Sequence, residues 1–463
     1  MADRLSTLDA SFLYLEDRTA PLHVGAVALF RRPRIGFDYG QLVALIEQCL
    51  PQVPRYRQRV LPVPGHLARP VWADDPDFDL TYHVRRSALP RPGNEEQLLD
   101  LVARLFSRPL DHARPLWEAY LVEGLSRNRV ALVTKTHQAL VDGVSTVDIG
   151  QLILDTGPHL PDQDPDDGWR PRRLPGRTGL ALDAVRETVG RPREVIENLR
   201  SAATDAVATA RKVAGAVGSL IETVGTVARP AAAGPLNVPI SGQRRFAVAR
   251  ARLDDLRGVR AEHGGTVNDA VLAVVSGALR TWLLSRGEPV TSSTTLRALV
   301  PLAVRDESGQ QGNKVTPYLV DLPVGEPNPV VRLQHISHAM QAHTDSAVAA
   351  SALLGVGGLS PPTLHALGAR AAASFSKRIF NLVVTNVPGP QLPLYAGTAL
   401  LTEMFPVVPL VRNQALAIGV TSYDGGVYFG LTGDRDALSD VDIMAKMIEE
   451  SVDELVTTTP RRS

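Results

Sequence analysis

Val130-Ala131-Leu132-Val133-Thr134-Lys135-Thr136-His137-Gln138-Ala139-Leu140-Val141-Asp142-Gly143 is the stretch on which the reading of this chain turns. Its first six residues form a β-rich apolar run and read as a buried strand. Asp142-Gly143 is a turn dipeptide. From Val144 to Leu154 apolar residues return at helical spacing. His137 therefore sits where a strand ends in a loop before a helix, a common place for reactive groups. A lone histidine is more often a buried structural residue beside an ordinary turn. His, Asp and Gly at fixed spacing directly after a strand weigh against that reading.

Outward from this stretch the pattern is mixed α/β. Leu22 to Phe30 reads as a strand, Phe37 to Leu50 as a helix that stops before Pro51, and residues 95 to 107 as a helix with Leu98, Leu99, Val102 and Leu105 apolar. Residues 157 to 180, rich in Pro, Asp, Arg and Gly, read as surface linker. Leu182 to Val227 has apolar or small residues at 3–4 spacing and reads as two amphipathic helices hinged near Gly190 to Pro192. Packing on its neighbours is the plainer role for this segment, because its polar face lacks the Lys/Arg excess of a lipid-facing helix. Beyond it, Thr266 to Leu284 reads as a helix. Leu296 to Val304, Val315 to Leu322, Ile379 to Thr385, Ala415 to Thr421 and Gly426 to Thr432 read as strands, and Ser439 to Leu455 as a closing helix. The expected organisation is a unit over residues 1–165, a helical linker over 166–240 and a second α/β (α+β) unit over 241–463.

Composition narrows the partners. The chain has 463 residues and a formal net charge of +0, so nothing favours nucleic acid. Cys49 is the single cysteine, which rules out an internal disulfide and favours a cytoplasmic setting. The first residues lack the apolar core of a signal peptide. No stretch reaches the roughly 18 apolar residues of a membrane span. Any membrane contact is expected to be peripheral. His335, His338 and His343 suggest a metal cluster, but only the first two share i,i+3 spacing, and a solvated helix is the simpler reading. Oligomeric state is not legible.

With the pieces placed, the His-Gln-x-x-x-Asp-Gly segment resembles the His-His-x-x-x-Asp-Gly signature of acyltransferases related to chloramphenicol acetyltransferase. The whole chain resembles the bacterial wax ester synthase/diacylglycerol acyltransferase family. The resemblance is carried by Leu8-Asp9-Ala10, Pro21 to Gly25, Phe78-Asp79-Leu80, Tyr82 to Arg85, Pro115-Leu116-Trp117, Pro235-Leu236-Asn237, Ser241 to Phe246, Asn268-Asp269 and Thr385-Asn386-Val387-Pro388-Gly389-Pro390, in family order. It implies two chloramphenicol-acetyltransferase-like domains joined by a helical linker. It also implies transfer of a fatty acyl group from acyl-CoA, as co-substrate, to diacylglycerol or a long-chain alcohol, with no metal or prosthetic group. A cytoplasmic protein peripherally associated with membranes or lipid droplets is the expected setting.

On that resemblance position 138 carries the general base, His137 orients the loop or assists it, Asp142 supports the loop through an arginine, and Gly143 permits the turn. Pro115, Leu116, Trp117, Asn268, Asp269, Thr385, Asn386, Pro388 and Gly389 are the candidate substrate-binding residues. Each has a structural alternative: Trp117 as core, Asn268 and Asp269 as helix caps, Pro388-Gly389 as a turn. Gln138 departs from the signature, since a carboxamide cannot act as a base near neutral pH. An introduced substitution that traps a substrate complex, a natural loss of turnover, and His137 acting in its place all stay open. The otherwise intact motifs favour the first. The rival functions are a silent lipid-binding homologue and a stand-alone condensation-type acyltransferase.

Overall fold

The computed structural model describes residues 3–33, 37–64, 68–141, 149–160, 168–174, 176, 178–180, 231, 234–304, 314–342 and 379–459. The amphipathic stretch Leu182 to Val227, Asp142, Gly143 and His343 lie outside the described residues.

Strands are numbered in chain order. A seven-stranded sheet has the spatial order β5 (Val84–Ala88), β6 (Trp117–Leu125), β7 (Arg129–His137), β2 (His23–Arg31), β14 (Ala399–Val407), β13 (Tyr395–Ala396) and β8 (Leu154–Asp155). A six-stranded sheet runs β11 (Lys314–Leu322), β10 (Leu296–Val304), β12 (Leu382–Pro388), β15 (Leu416–Tyr423), β16 (Gly426–Asp434) and β9 (Arg244–Arg252). A small three-stranded sheet, β1 (Asp3–Arg4), β4 (Val71–Asp74) and β3 (Gln58–Leu61), flanks the first. The architecture is α+β with two mixed sheets, as the sequence pattern suggests.

The apolar run that opens the deciding stretch becomes β7, near the middle of its sheet and buried along all but its first residue. A strand covered on both faces needs no polar alternation, which is why the run reads so plainly. β2 lies against it in strict antiparallel register, with His23 opposite His137 and Gly25 opposite Lys135. Gly25 is required there: a Cβ would lie 1.9 Å from the Thr134 carbonyl oxygen and 2.8 Å from the Phe106 ring.

The C-terminal half lends a strand to the first sheet. β14, from the C-terminal third, pairs with β2 from Leu400↔Arg31 to Val407↔Gly25, so the N-terminal sheet is completed by distant chain. Phe405 on β14 meets Tyr428 on β16 edge to face at 5.3 Å, and Arg250 on β9 binds Glu95 at 2.5 Å and Glu403 at 2.8 Å.

The helices follow their caps. Glu95–Phe106 starts at a capping box formed by Asn94 and Gln97 and buries Leu98, Val102 and Leu105. Val267–Ser285 starts at a capping box formed by Thr266 and Asp269. That second helix is long and apolar enough to cross a membrane, but 72% of its apolar window is buried. It belongs to the core of the second unit, with Val274, Leu279 and Trp282 fully enclosed. His335 and His338 are exposed on helix Pro329–Ala342, in line with a solvated face.

Candidate active site

Two backbone hydrogen bonds assemble the site. The His137 N–H donates to the Leu116 carbonyl at 2.9 Å, and the Gln138 N–H donates to the Leu22 carbonyl at 2.9 Å. Three separate segments, Pro21 to Gly25, Pro115 to Trp117 and the strand-end motif, therefore meet at one point. The chain then turns, with Leu140 N–H donating to the His137 carbonyl at 2.9 Å. Gln138 is half-buried, while His137 is wholly enclosed.

The His137 ring has a neighbour at each nitrogen. Nδ1 accepts the Ala139 N–H at 3.0 Å. An imidazole that accepts at Nδ1 carries its proton on Nε2. That Nε2 lies 3.4 Å from Glu16 Oε2, within ion-pair range but without the alignment of a hydrogen bond. Glu16 meets two further imidazoles, His112 Nε2 at 2.9 Å and His23 Nε2 at 3.4 Å. Burial alone would raise the Glu16 carboxyl, but its contacts with His112, His137 and His23 outweigh this and hold it well below the usual carboxylate range. Burial brings His23 down to about 4, against the opposing pull of Glu16. His112, which is exposed, is raised by its hydrogen bond to Glu16.

Glu16, His112 and His137 lie together as metal ligands would. The donor chemistry does not fit. A metal needs a lone pair on each ring nitrogen that it meets. His137 presents a proton at Nε2, because its lone pair is taken at Nδ1. The cluster is a carboxylate facing imidazoles.

Pro115, Leu116 and Trp117 are buried. The Trp117 indole donates to the Tyr56 carbonyl at 2.8 Å, and Tyr56 Oη accepts the Ile149 N–H at 3.1 Å. The His83 ring stacks on Trp117 at 4.8 Å and on Phe78 at 5.4 Å. His83 Nδ1 donates to the Trp117 carbonyl at 2.8 Å, and burial lowers the imidazole to about 4. Beside it, Lys135 is fully buried and donates to the Arg108 carbonyl at 2.5 Å. Burial brings Lys135 down to about 8 although Glu118 lies 3.7 Å away.

The second group of candidates lies on β12 of the other sheet, just past its end, and at the start of helix Val267–Ser285. Asn386 Nδ2 donates to Asn268 Oδ1 at 3.1 Å, which joins two motifs 118 residues apart. Asp269 is buried in the capping box, accepting the Thr266 N–H at 2.8 Å. Thr385, half-buried, stands opposite Gly419 on β15, and Pro388 is exposed at the strand end. Pro388 is strand rather than turn, and Gly389 extends its pairing with β15: its N–H donates to the Ser422 carbonyl at 3.0 Å, and a Cβ would lie 2.3 Å from that same oxygen.

Glu16, His112 and the side-chain role of His23 escape sequence reasoning. Only the β2–β7 register, which places His23 opposite His137, could have signalled any of them.

The histidine motif ends a central strand of a mixed sheet that β14 helps to complete from the C-terminal third, in the α+β arrangement of an acyltransferase of chloramphenicol-acetyltransferase-like fold. Residues 5–271 match the wax ester synthase/diacylglycerol acyltransferase catalytic domain, and residues 311–456 match the WS/DGAT C-terminal domain. The chain belongs to the wax ester synthase/diacylglycerol acyltransferase family. It is 51% identical over 264 residues (57% of this chain, 97% of the relative) to a protein of Mycobacterium tuberculosis named a probable diacylglycerol O-acyltransferase, tgs3. A second relative from that organism with the same description, tgs2, is 35% identical over 473 residues, 98% of each chain. The solved wax ester synthase/diacylglycerol acyltransferase from Marinobacter aquaeolei VT8 superposes with a TM-score of 0.68 at 31% identity, covering 98% of both chains. A starter condensation domain of rhizomide synthetase shares the fold, with a TM-score of 0.55 at 11% identity over 99% of this chain and 95% of that one.

Proposed function

We propose that this chain serves the transfer of a fatty acyl group from acyl-CoA to the hydroxyl of diacylglycerol, giving triacylglycerol, or of a long-chain alcohol, giving a wax ester. The observation that carries the reading is the backbone clamp at the end of β7. It fixes residue 138 between Leu22 and the pinned His137 ring. Position 138 is where the reaction needs its base. The base takes the acceptor hydroxyl proton as that oxygen attacks the thioester carbonyl. The C–O bond forms, the C–S bond breaks, and coenzyme A leaves as a thiolate that is then protonated.

Gln138 cannot hold that proton. His137 is a poor substitute, since one nitrogen accepts Ala139 N–H and the other faces Glu16. Of the three readings of Gln138, a shift of the base to His137 is the one that the geometry disfavours. In this proposal Asp142 and Gly143 support the loop. Leu116 and Trp117 form the wall behind it, at the bend that Pro115 makes. Asn268 and Asn386, with Thr385, Pro388 and Gly389, border the path of the acyl donor, and Asp269 serves its helix. No metal is assigned.

The test uses the Gln138→His variant with palmitoyl-CoA, offered diacylglycerol and hexadecanol in parallel. Ester from either acceptor supports the proposal, and the ratio of the two products sets the acceptor preference. No ester from either, with acyl-CoA still bound, would replace it with the silent lipid-binding reading, which Gln138 itself favours. Because the acceptors are water-insoluble, a cytoplasmic protein in peripheral contact with a lipid surface completes the picture. Partial sedimentation with vesicles, reversed without detergent, would support that contact, and no sedimentation would remove it.

A further inference from the structure

We propose that Glu16 is a positioning residue for acyl transfer, fixing the proton on His137 Nε2 and through it the placement of residue 138. The inference rests on the function proposed above but on different atoms. Glu16 ends helix Thr7–Leu15 and is held there by its own N–H, which donates to the Phe12 carbonyl at 3.1 Å. Its side chain reaches three segments that are remote in sequence: His23 on β2, His112 in the loop before Pro115, and His137 at the end of β7.

A carboxylate only accepts hydrogen bonds, so a ring nitrogen facing it is favoured when protonated. At His137 this preference and the Ala139 N–H at Nδ1 agree: both require the proton on Nε2. At His23 the claim is shared, because the Leu110 N–H also approaches Nε2, at 3.4 Å. His112 sits at the exposed rim and is the outermost of the three. The ring that is wholly enclosed and agrees at both nitrogens is the motif's own His137.

Without the charge of Glu16, the Ala139 N–H alone would hold the proton on Nε2, and His137 would carry it on Nδ1 for part of the time. That tautomer cannot accept the Ala139 N–H. The peptide between His137 and Ala139 would then lose one of its anchors, and that peptide carries residue 138. Glu16 touches neither the acyl donor nor the acceptor in this account; it acts through His137.

Two measurements test this. The first is ring-nitrogen NMR of histidine-labelled protein, run on the parent and on Glu16→Gln, which keeps the shape and removes the charge. The parent should show His137 protonated at Nε2 alone, and Glu16→Gln should show a mixture of tautomers. The second is steady-state kinetics in the Gln138→His background. Adding Glu16→Gln should lower kcat by ~10–100-fold, the scale of a misplaced reacting group, with KM for acyl-CoA nearly unchanged.

His338→Ala, at an exposed histidine on helix Pro329–Ala342, should leave both the His137 tautomer and kcat nearly unchanged. The same single tautomer and kcat in folded Glu16→Gln would overturn the proposal. So would a loss confined to KM. If Glu16→Gln does not fold, Glu16→Ala, which also removes the charge, replaces it, and an unchanged tautomer and kcat would count against the proposal in the same way. Should Gln138→His itself make no ester, the functional reading fails while the NMR arm still decides the role of Glu16.

Discussion

The two sheets each end a strand in a motif, and the two ends differ in kind. At the end of β7, His137 sits among ionisable groups: Glu16, His23 and His112 around it, Lys135 and Glu118 along the same strands. At the end of β12, Asn386 meets Asn268 through a neutral amide–amide hydrogen bond of 3.1 Å. In the account proposed above, the first end fixes where protons sit. The second offers hydrogen bonds that do not change with protonation. The difference suggests a division of labour, with proton handling in the N-terminal sheet and neutral contacts from the C-terminal one.

The largest effect should come from the backing of the first end. Trp117 is fully buried and bridges His83 and Tyr56. Trp117→Ala should lower unfolding stability by ~3–5 kcal/mol, the usual cost of emptying a buried aromatic site, as read by denaturant melts. A loss under about 1 kcal/mol would mean that the wall is not continuous with the core and would weaken the contrast.

Next comes pH. His23 and His83 are both lowered from 6.5 to about 4 by burial. A depressed group contributes stability that is present above its unfolded value and is lost as pH falls through its folded one. Stability should therefore drop as pH falls from about 6.5 towards about 4, by on the order of 2–3 kcal/mol for each histidine. His112 has the opposite sign. It is raised by Glu16, so its contribution is present below 6.5 and fades as pH rises through the raised value. Melting temperatures across pH check this, and His83→Gln should flatten the acid slope. An unchanged slope would remove His83 from the account.

The smallest effect belongs to the second end. A double-mutant cycle on Asn268→Ala and Asn386→Ala should give a coupling of ~0.5–1.5 kcal/mol, the net value of one hydrogen bond, and the same value across pH. A coupling that varied with pH would break the contrast between the two ends.

The sequence was informative where local pattern and structure coincide. β7 is legible because both its faces are buried, and Glu95–Phe106 and Val267–Ser285 because cap and apolar spacing agree. β12 begins at Leu382, not Ile379, because buried Asn381 accepts the Arg297 N–H at 2.7 Å with its side chain, an arrangement that no propensity describes. β6 was missed because Glu118 and Glu123 interrupt its apolar residues, and both charges are buried against partners. β14 was missed because a bulge between Leu401 and Glu403 breaks its alternation and its partner β2 lies at the other end of the chain. For the site, the motif residues were legible as a string. Glu16 was not, since one carboxylate after a helix has no local signature and its three partners come from separate segments.

The most direct test of the account is the pH dependence of ester formation from palmitoyl-CoA by the parent chain and by Gln138→His. The account predicts that the variant is faster by at least ~100-fold, the low end for a positioned general base. It also predicts that kcat/KM of the variant gains an acidic limb that the parent lacks. Equal rates with the same limb in both proteins would contradict it and return the proton transfer to His137.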